Sequence, residues 1–192
     1  ESGANAFQRQ AGGVVDTAKF DKMGYQTVAF DANNNEATWE YDYFGRLLHH
    51  KDIGGSEYQY GYDNALQLTS QSNTRVGKTP QDIIYYYDAA GQLTKVWDRA
   101  LSKETTTAFD LAGHHLRERV KVNGEYFQDN HLSYDTQGRL IDSADNRVHL
   151  VFYYDKAGNR SKITTHVLAA TATDNDVETP INSTRYYLYD AM

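Results

Sequence analysis

Aspartate residues recur beside an aromatic residue along this 192-residue chain, and carboxylates are the side chains here best suited to chemistry. Two carboxylates that converge in a pocket can act as a general acid and a general base. The recurring aspartates stand at positions 21, 31, 42, 63, 88, 110, 135, 155 and 190. In the clearest copies a glycine follows three residues later, which is the pattern of a turn. We therefore expect these carboxylates to shape loops, and we predict no catalytic residue.

Seven histidines include two adjacent pairs, His49-His50 and His114-His115. Adjacent residues of a strand point to opposite faces, so neither pair can hold one metal ion. The second pair also displaces a leucine by one position, to Leu116, which predicts a local bulge. There is no cysteine and no His-Glu-x-x-His sequence, which argues against zinc. The acidic residues 174–178 lack the glycine and the spacing of a calcium loop. We predict no metal-binding and no cofactor-binding residue.

Other catalytic patterns are missing from the sequence. It contains neither a Gly-x-Ser-x-Gly sequence, which would place a nucleophilic serine, nor a glycine-rich phosphate-binding loop. The prediction is that this chain is not an enzyme.

Aromatic residues offer a different function, because exposed rings can stack on sugars. Trp39 and Trp97 are the candidates for such glycan contacts. The competing interpretation is cross-strand packing between neighbouring repeats, which would create rows of aromatic side chains without any ligand. We favour packing, and glycan contact stays open as an alternative.

The element that positions these residues is a short unit that reads aromatic, Asp, two free positions, Gly, one free position, Leu. Asp accepts a hydrogen bond from the backbone two residues on, and Gly supplies the positive φ of a three-residue hairpin loop. In that register the aromatic residue and the leucine face each other across two antiparallel strands. The repeat positions assigned to this structural role are Tyr41, Asp42, Gly45, Leu47, Tyr87, Asp88, Gly91, Leu93, Phe109, Asp110, Gly113, Tyr134, Asp135, Gly138, Leu140, Tyr154, Asp155 and Gly158.

Two details of the loops can be predicted from the same register. Arg46 stands opposite Asp42, and Arg139 opposite Asp135, so each couple should form an exposed ion pair. Leu66 occupies a position that needs positive φ, which is costly for a residue with a side chain. We therefore expect the loop around Leu66 to differ from the others.

Composition favours a thin and well-solvated sheet. Hydrophobic residues make up 40% of the chain, and 16 of its residues are tyrosine, which tolerates a half-wet surface. A two-layer sandwich with a tyrosine-rich core is the alternative. The net charge of −7 argues against nucleic acid as a partner. No run of 18 or more apolar residues is present, so we expect no membrane span.

A second reversal must lie between successive loops, and turn residues appear where it is needed. The clearest is Asn123-Gly124, which should pair Val122 with Glu125 and Val120 with Phe127. The prediction is an all-β repeat architecture of stacked antiparallel hairpins in one long, curved sheet. Residues 1–192 would form a single array that is cut within a repeat at the C-terminus and also at the N-terminus. Residues 169–182 would be an inserted acidic loop.

The unit and its spacing resemble the YD repeat, also called the RHS repeat, and the resemblance covers the whole chain. It implies a continuous β-sheet that spirals into a hollow shell. Similar repeats enclose a C-terminal toxic segment in bacterial polymorphic toxins and in the cocoons of insecticidal toxin complexes, and they build an extracellular barrel in teneurins. The proline-rich core motif of the family is missing, since the only prolines are Pro80 and Pro180. No self-processing activity is therefore expected.

The resemblance implies a structural function. This chain would be part of a shell that encloses or presents a toxin or effector segment of a larger bacterial protein, secreted or held at the cell surface. Its partners would be the rest of that protein and the enclosed segment. The alternative is an extracellular module that binds carbohydrate or a cell surface. Open strand edges also predict end-to-end self-association of this chain.

Overall fold

The computed structural model describes residues 6–11, 14–167 and 182–187. These residues form sixteen strands in one sheet, and each strand is hydrogen-bonded to the next in chain order. The strands are β1 (Ala6–Ala11), β2 (Val14–Phe20), β3 (Gln26–Phe30), β4 (Glu36–Tyr41), β5 (Leu47–Lys51), β6 (Glu57–Tyr62), β7 (Leu68–Thr74), β8 (Gln81–Tyr87), β9 (Leu93–Asp98), β10 (Lys103–Phe109), β11 (His115–Val122), β12 (Glu125–Tyr134), β13 (Leu140–Ala144), β14 (Val148–Tyr154), β15 (Arg160–Val167) and β16 (Asn182–Tyr186). The predicted all-β meander is confirmed.

The chain divides into two compact units. The first contains the residues through Tyr86 together with Val96–Ser102, and the second contains Tyr87–Lys95 together with the residues from Lys103 onward. The acidic loop predicted at 169–182 lies outside the described residues, apart from Asn182 at the start of β16.

The predicted hairpin loop is present, and the loop after β4 shows its bonds. The N–H of Asp42 donates to the carbonyl of Arg46 at 2.9 Å, and the N–H of Gly45 donates to the carbonyl of Asp42 at 3.0 Å. The Asp42 carboxylate accepts from the N–H groups of Phe44 and Arg46, both at 2.9 Å. Gly45 takes a φ of 79°, the left-handed value that this loop requires. The same two backbone bonds close the loops at Asp21, Asp31, Asp42, Asp52, Asp63, Asp88, Asp110, Asp135 and Asp155.

The loops at Asp31 and Asp52 differ in position from the rest. Asp31 joins β3 to β4 and Asp52 joins β5 to β6, so both lie at the opposite ends of the strands from Asp42. Asp52 is not among the recurring aspartates of the sequence analysis, since Lys51 and not an aromatic residue precedes it. The same loop geometry therefore closes hairpins at both ends of the strands in the first unit. It can do so because its hydrogen bonds involve only five consecutive residues.

The cross-strand pairs predicted beside the loop are confirmed, as Tyr41 faces Leu47 and Tyr134 faces Leu140. The register then shifts by one residue, so that Glu40 faces His49 and Leu48 has no opposite residue. The shift also follows the loops after Phe20, Tyr62, Phe109, Tyr134 and Tyr154. The bulge expected only at Leu116 is therefore a general feature of the repeat, and a bulge of this kind increases the local twist of the ribbon.

The Asn123-Gly124 turn is confirmed in part. Val122 faces Glu125 as predicted, but Val120 faces Gln128 and not Phe127. A bulge between Val120 and Lys121 changes the register, and the Phe127 side chain is 68% exposed. The turn residues fixed the first pair only, since the bulge lies beyond their reach.

A packed core is almost missing from the described residues. Their only buried hydrophobic residues are Ala37 and Val120. A two-layer sandwich would bury many large side chains on the facing sides of its sheets. The expectation of a thin, solvated sheet is confirmed.

Leu66 contradicts the expectation that its loop differs from the others. Leu66 has a φ of 68°, and its N–H donates to the carbonyl of Asp63 at 3.1 Å as glycine does elsewhere. The loop around it, bounded by strands on both sides, imposes the left-handed conformation on a residue that disfavours it by roughly 1–2 kcal/mol. The strain is retained because the flanking strands fix the register.

We expect Leu66→Gly to raise the free energy of unfolding by about 0.5–1 kcal/mol, since relief of strain is partly offset by the greater freedom of glycine in the unfolded chain. The side chain is 52% exposed, so little packing is lost. Chemical denaturation measures the change, with Ala65→Gly in the same loop as the control that should destabilise. An equal or lower stability for Leu66→Gly would contradict the strain argument.

Candidate functional site

Some of the loops at one end of the strands are linked to their neighbours by side-chain stacking. In four of these loops the residue after the loop glycine lies against the aromatic residue that precedes the next loop at the same end of the strands; we call this contact the cross-loop stack. Its members are Tyr25 with Tyr41 at 5.1 Å between ring centroids, Arg46 with the Tyr62 ring at 4.5 Å, His114 with Tyr134 at 4.8 Å, and Arg139 with the Tyr154 ring at 4.5 Å. The first two lie in the first unit and the last two in the second.

Arg46 shows how one side chain joins two loops. Its Nε donates to the carboxylate of Asp42 at 2.6 Å, while its guanidinium covers the Tyr62 ring. Arg139 does the same between Asp135 and Tyr154. The Arg46 and Asp42 side chains are only 23% and 16% exposed. The predicted ion pairs are therefore present but half-buried, and the expectation that they are exposed is wrong because the next tyrosine covers them.

Three of the tyrosines in these stacks also make a hydrogen bond back to the strand that follows the preceding loop. The hydroxyl of Tyr62 donates to the carbonyl of Leu47 at 3.1 Å, and that of Tyr154 donates to the carbonyl of Leu140 at 2.7 Å. Tyr134 donates in the same way to the carbonyl of His115 at 3.0 Å. In these three repeats the hydroxyl gives tyrosine a contact that phenylalanine, which stands at the same position before Asp21 and Asp110, cannot make.

We expect Tyr154→Phe to lower the free energy of unfolding by about 1 kcal/mol, because the carbonyl of Leu140 loses its donor. Tyr153→Phe is the matched control, since that side chain is 42% exposed and a phenyl ring keeps the contact with Lys162. Denaturation of the two variants side by side measures the difference. Equal stabilities would show that the hydroxyl contributes nothing.

The loop carboxylates are poorly suited to acid–base catalysis. The N–H of Arg139 is the main cause that holds the pKa of Asp135 below its ordinary value, and the guanidinium adds to it. Hydrogen bonds from the His114 side chain and backbone lower the pKa of Asp110 in the same way. A carboxylate that stays ionised and is occupied by donors is a weak base and cannot act as an acid near neutral pH. The hydrogen bonds of these loop aspartates therefore support a structural role, which is to hold the loop conformation.

A polar groove of about 280 Å³ lies in the first unit between β6, β7 and β8. Its lining includes Glu57, Asn73 and Asp82, and the buried Oδ1 of Asn73 has no hydrogen-bond partner among the described residues. Asp82 is bound to Arg99 by a hydrogen bond of 2.8 Å and is not available as a free carboxylate. The groove therefore does not hold two free carboxylates in the arrangement that general acid–base catalysis needs.

The two tryptophans are not brought together, since Trp39 lies on β4 and Trp97 on β9, with four strands between them in the sheet order. The ring of His50 stacks on Trp39 at 4.8 Å, and Tyr58 stacks on His50 at 5.5 Å. One face of Trp39 is thus occupied, which favours packing at this position. Glycan contact by either tryptophan stays a prediction.

The adjacent histidines are used separately, as their opposite orientations predict. His50 stacks between Trp39 and Tyr58, whereas the Nε2 of His49 lies 3.9 Å from a carboxylate oxygen of Glu57. His114 bonds to Asp110 at 2.8 Å, and His115 lies beside Phe109. Within the part of the chain that the structure describes, there is no group of three or more metal-ligating side chains. That part also contains no helix able to cross a membrane.

Sequence reasoning missed the cross-loop stack. The signal was the residue after the loop glycine, which is Tyr25, Arg46, His114 or Arg139, a flat side chain in each of these copies. Planar groups suit stacking on an aromatic ring. The sequence reasoning considered only the opposite strand of the same hairpin, and so it placed Arg46 beside Asp42 without the tyrosine of the next loop.

Comparison with solved structures confirms the stacked-hairpin fold that the repeat pattern predicts. The crystal structure of TcdB2-TccC3, a toxin complex with a YD-repeat shell, matches 91% of this chain and 11% of that chain, with 18% identity and a TM-score of 0.69. TcdB2-TccC3 without its hypervariable C-terminal region matches 92% of this chain and 10% of that chain, with 19% identity and a TM-score of 0.65. A Tc holotoxin pore of Photorhabdus luminescens gives the same four values.

Neither a protein-family model nor a curated protein sequence matches this chain. This chain spans about a tenth of the length of the structures that it resembles. At 18–19% identity the likeness shows a shared fold. The structural comparison therefore establishes the YD-repeat architecture and leaves the function of the whole protein to be proposed.

Proposed function

We propose that this chain is a wall segment of a YD-repeat β-shell that encloses or presents a C-terminal toxin or effector segment of a larger bacterial protein. The observation that carries the proposal is the hairpin array itself. Its aspartates shape the loops, and the planar side chains of the cross-loop stacks connect loops to their neighbours. The structures with the same fold belong to a toxin complex, and one of those proteins has a hypervariable C-terminal region. A structural, non-enzymatic role agrees with loop carboxylates that are already occupied by donors.

In the proposed mechanism the sheet encloses the toxin or effector segment. The loops at the ends of the strands fix the register of the sheet. Backbone hydrogen bonds join neighbouring strands, and the four cross-loop stacks connect their hairpins to the hairpins that follow. The partners in this proposal are the rest of the parent protein and the enclosed segment, and the parent is secreted or held at the cell surface. A Tc holotoxin pore among the structures with this fold supports an extracellular parent.

Limited proteolysis of the full-length parent tests enclosure. The segment that follows the repeats should resist cleavage in the intact parent and should be cut rapidly when it is expressed alone. Gly45→Ala in the parent, which loosens a cross-loop stack, should speed its cleavage. Equal cleavage rates for the segment in the intact parent and in isolation would refute enclosure.

The alternative is a module that binds carbohydrate or a cell surface, and it depends mainly on Trp97. The Trp97 side chain is 37% exposed although the Arg99 guanidinium lies 6.0 Å from its ring centroid, whereas Trp39 is half-buried and stacked on His50. A glycan array probed with the wild-type chain, Trp97→Ala and Trp39→Ala decides the matter. Binding that is lost in Trp97→Ala and kept in Trp39→Ala would support the alternative, and an array without binding would refute it.

We further propose that the isolated chain associates end to end. β16 pairs with β15 on one side, and all five of its residues are exposed. An exposed edge strand offers unpaired N–H and carbonyl groups to a second copy. Sedimentation velocity at rising concentration should show growing assemblies, and a constant monomer would contradict this expectation.

A further inference from the structure

Two histidines from distant parts of the sequence meet on one face of the second unit. His149 on β14 is directly opposite His166 on β15, and His166 is directly opposite Asn182 on β16. Directly opposite residues point to the same face of a sheet, with Cβ atoms roughly 4.5–5.5 Å apart. The two imidazole rings have centroids 5.9 Å apart and planes inclined by 38°. Both rings are half-buried.

Each imidazole has a partner that fixes one of its nitrogens. The Nε2 of His149 lies 2.6 Å from the Oδ2 of Asp142, which can only accept, so Nε2 carries the proton. The Nδ1 of His166 lies 2.7 Å from the amide oxygen of Asn182 and carries a proton for the same reason. In the neutral rings this leaves a lone pair on the Nδ1 of His149 and on the Nε2 of His166.

This arrangement is the one that metal-binding histidines show. Such histidines donate their other N–H to a carboxylate or carbonyl oxygen, which orients the ring and makes the ligating nitrogen more basic. Asp142 and Asn182 occupy those supporting positions for His149 and His166. Unlike the adjacent pairs in the sequence, these two histidines lie on the same face.

The spacing of the rings also suits a shared ion. A metal about 2.1 Å from a ring nitrogen lies roughly 3.2 Å from the ring centroid, so two rings on one ion have centroids no more than roughly 6.4 Å apart. The observed separation of 5.9 Å is within that limit. The ring separation is therefore compatible with one ion shared by both imidazoles.

We propose that His149 and His166 bind one divalent transition metal ion of the kind that prefers imidazole, such as Cu²⁺, Ni²⁺ or Zn²⁺, through Nδ1 of His149 and Nε2 of His166. Asp142 and Asn182 position the two rings. Water completes the coordination, because the described residues include no group of three or more side chains able to hold a metal ion. The site is consequently an exchangeable one, weaker than a structural zinc site with four protein ligands.

Isothermal titration of the full 192-residue chain with Ni²⁺ tests the site. We expect one saturable equivalent of Ni²⁺, because imidazole is a ligand that suits this ion. His149→Ala and His166→Ala should each weaken binding at least tenfold. Asp142→Asn should weaken it about tenfold while both ligands are kept, as is typical when a supporting partner is changed.

His49→Ala is the matched control, since His49 lies beside Glu57 in the first unit. The Ni²⁺ affinity of this variant should stay within twofold of the wild type. Circular dichroism checks the fold of each variant. Paramagnetic broadening by Ni²⁺ of the imidazole NMR signals of His149 and His166 in the wild type keeps the test independent of variant folding. The proposal is overturned if saturable binding is missing, if His149→Ala and His166→Ala bind as tightly as the wild type, or if the broadening falls on other histidines.

Discussion

We expect Gly45→Ala to lower the free energy of unfolding by about 2–3 kcal/mol, which is the upper range for a single surface-loop substitution. Gly45 has a φ of 79°, where a residue with a Cβ costs roughly 1–2 kcal/mol. A Cβ at this position would also lie 2.2 Å from the Oη and 2.4 Å from the Cζ of Tyr25. The Tyr25 ring would have to leave its stack on Tyr41, which adds the loss of an aromatic contact to the backbone strain.

Gly24→Ala separates these two effects. Gly24 sits at the same position of the preceding loop with a φ of 88°, but a Cβ there would meet no atom within 4 Å. Its substitution should therefore cost only the backbone strain of roughly 1–2 kcal/mol. In a chain that already carries Tyr25→Ala, the loss of unfolding free energy caused by Gly45→Ala should fall to the same value. Equal losses for Gly24→Ala and Gly45→Ala in the wild type would show that the cross-loop stack has no energetic weight.

The conformation of each loop could be predicted from the sequence because its determinants are local. Asp42 and Gly45 belong to one five-residue segment, and the bonds between them involve no distant residue. The pairing of Tyr41 with Leu47 follows directly from closing that segment. The same locality explains why Leu66 keeps the common loop: two flanking strands constrain it more strongly than its own side chain resists.

The register beyond the loop could not be predicted, since it depends on a bulge. Uninterrupted alternation would place Leu48 opposite Glu40, but the structure places His49 there. The bulge has no residue signature of its own in the sequence, as Thr27, Leu48, Leu116 and Ser161 stand at equivalent places. To predict which face of the sheet each side chain lies on, one must therefore know that a bulge follows these loops.

Contacts between successive hairpins were hidden for a related reason. Arg46 and Tyr62 are 16 positions apart, and His149 and His166 are 17 positions apart, so no short motif contains both members of either pair. Their meeting depends on where the intervening turns fall and on the register of two strands. The sequence excludes metal sites made of adjacent histidines, and the structure supplies a cross-strand pair that only the register reveals.

Acid should destabilise this chain over a wide and gradual range, because many carboxylates respond in the same direction. The pKa is lowered for Asp31, Asp42, Asp52, Asp110, Asp129, Asp135 and Asp155. Partial burial on its own would raise the pKa of Asp42, but the N–H and guanidinium of Arg46 and the N–H of Phe44 outweigh it. Six of these seven aspartates begin loops of the common type, and Asp129 is paired with Arg117.

The sign of the effect follows from these depressed values. Between the folded and unfolded pKa the unfolded chain binds more protons, so its population grows as pH falls. The stabilisation is complete above the unfolded value of about 3.9 and is lost as pH falls through the lower folded values. We expect the melting temperature to be level from pH 7 to about pH 5 and then to fall by on the order of 10 °C or more toward pH 2.

Melting curves recorded by circular dichroism at several pH values measure this loss, and Asp135→Asn identifies its source. The variant lacks the carboxylate that accepts from the N–H and guanidinium of Arg139, so it should be less stable than the wild type at pH 7. The gap should narrow as pH falls, because the wild-type carboxylate becomes neutral as well. Glu125→Gln, which changes a carboxylate outside these loops, should follow the wild-type profile. A wild-type melting temperature that stays constant down to pH 3, or an Asp135→Asn profile parallel to it, would mean that the loop carboxylates do not control acid stability.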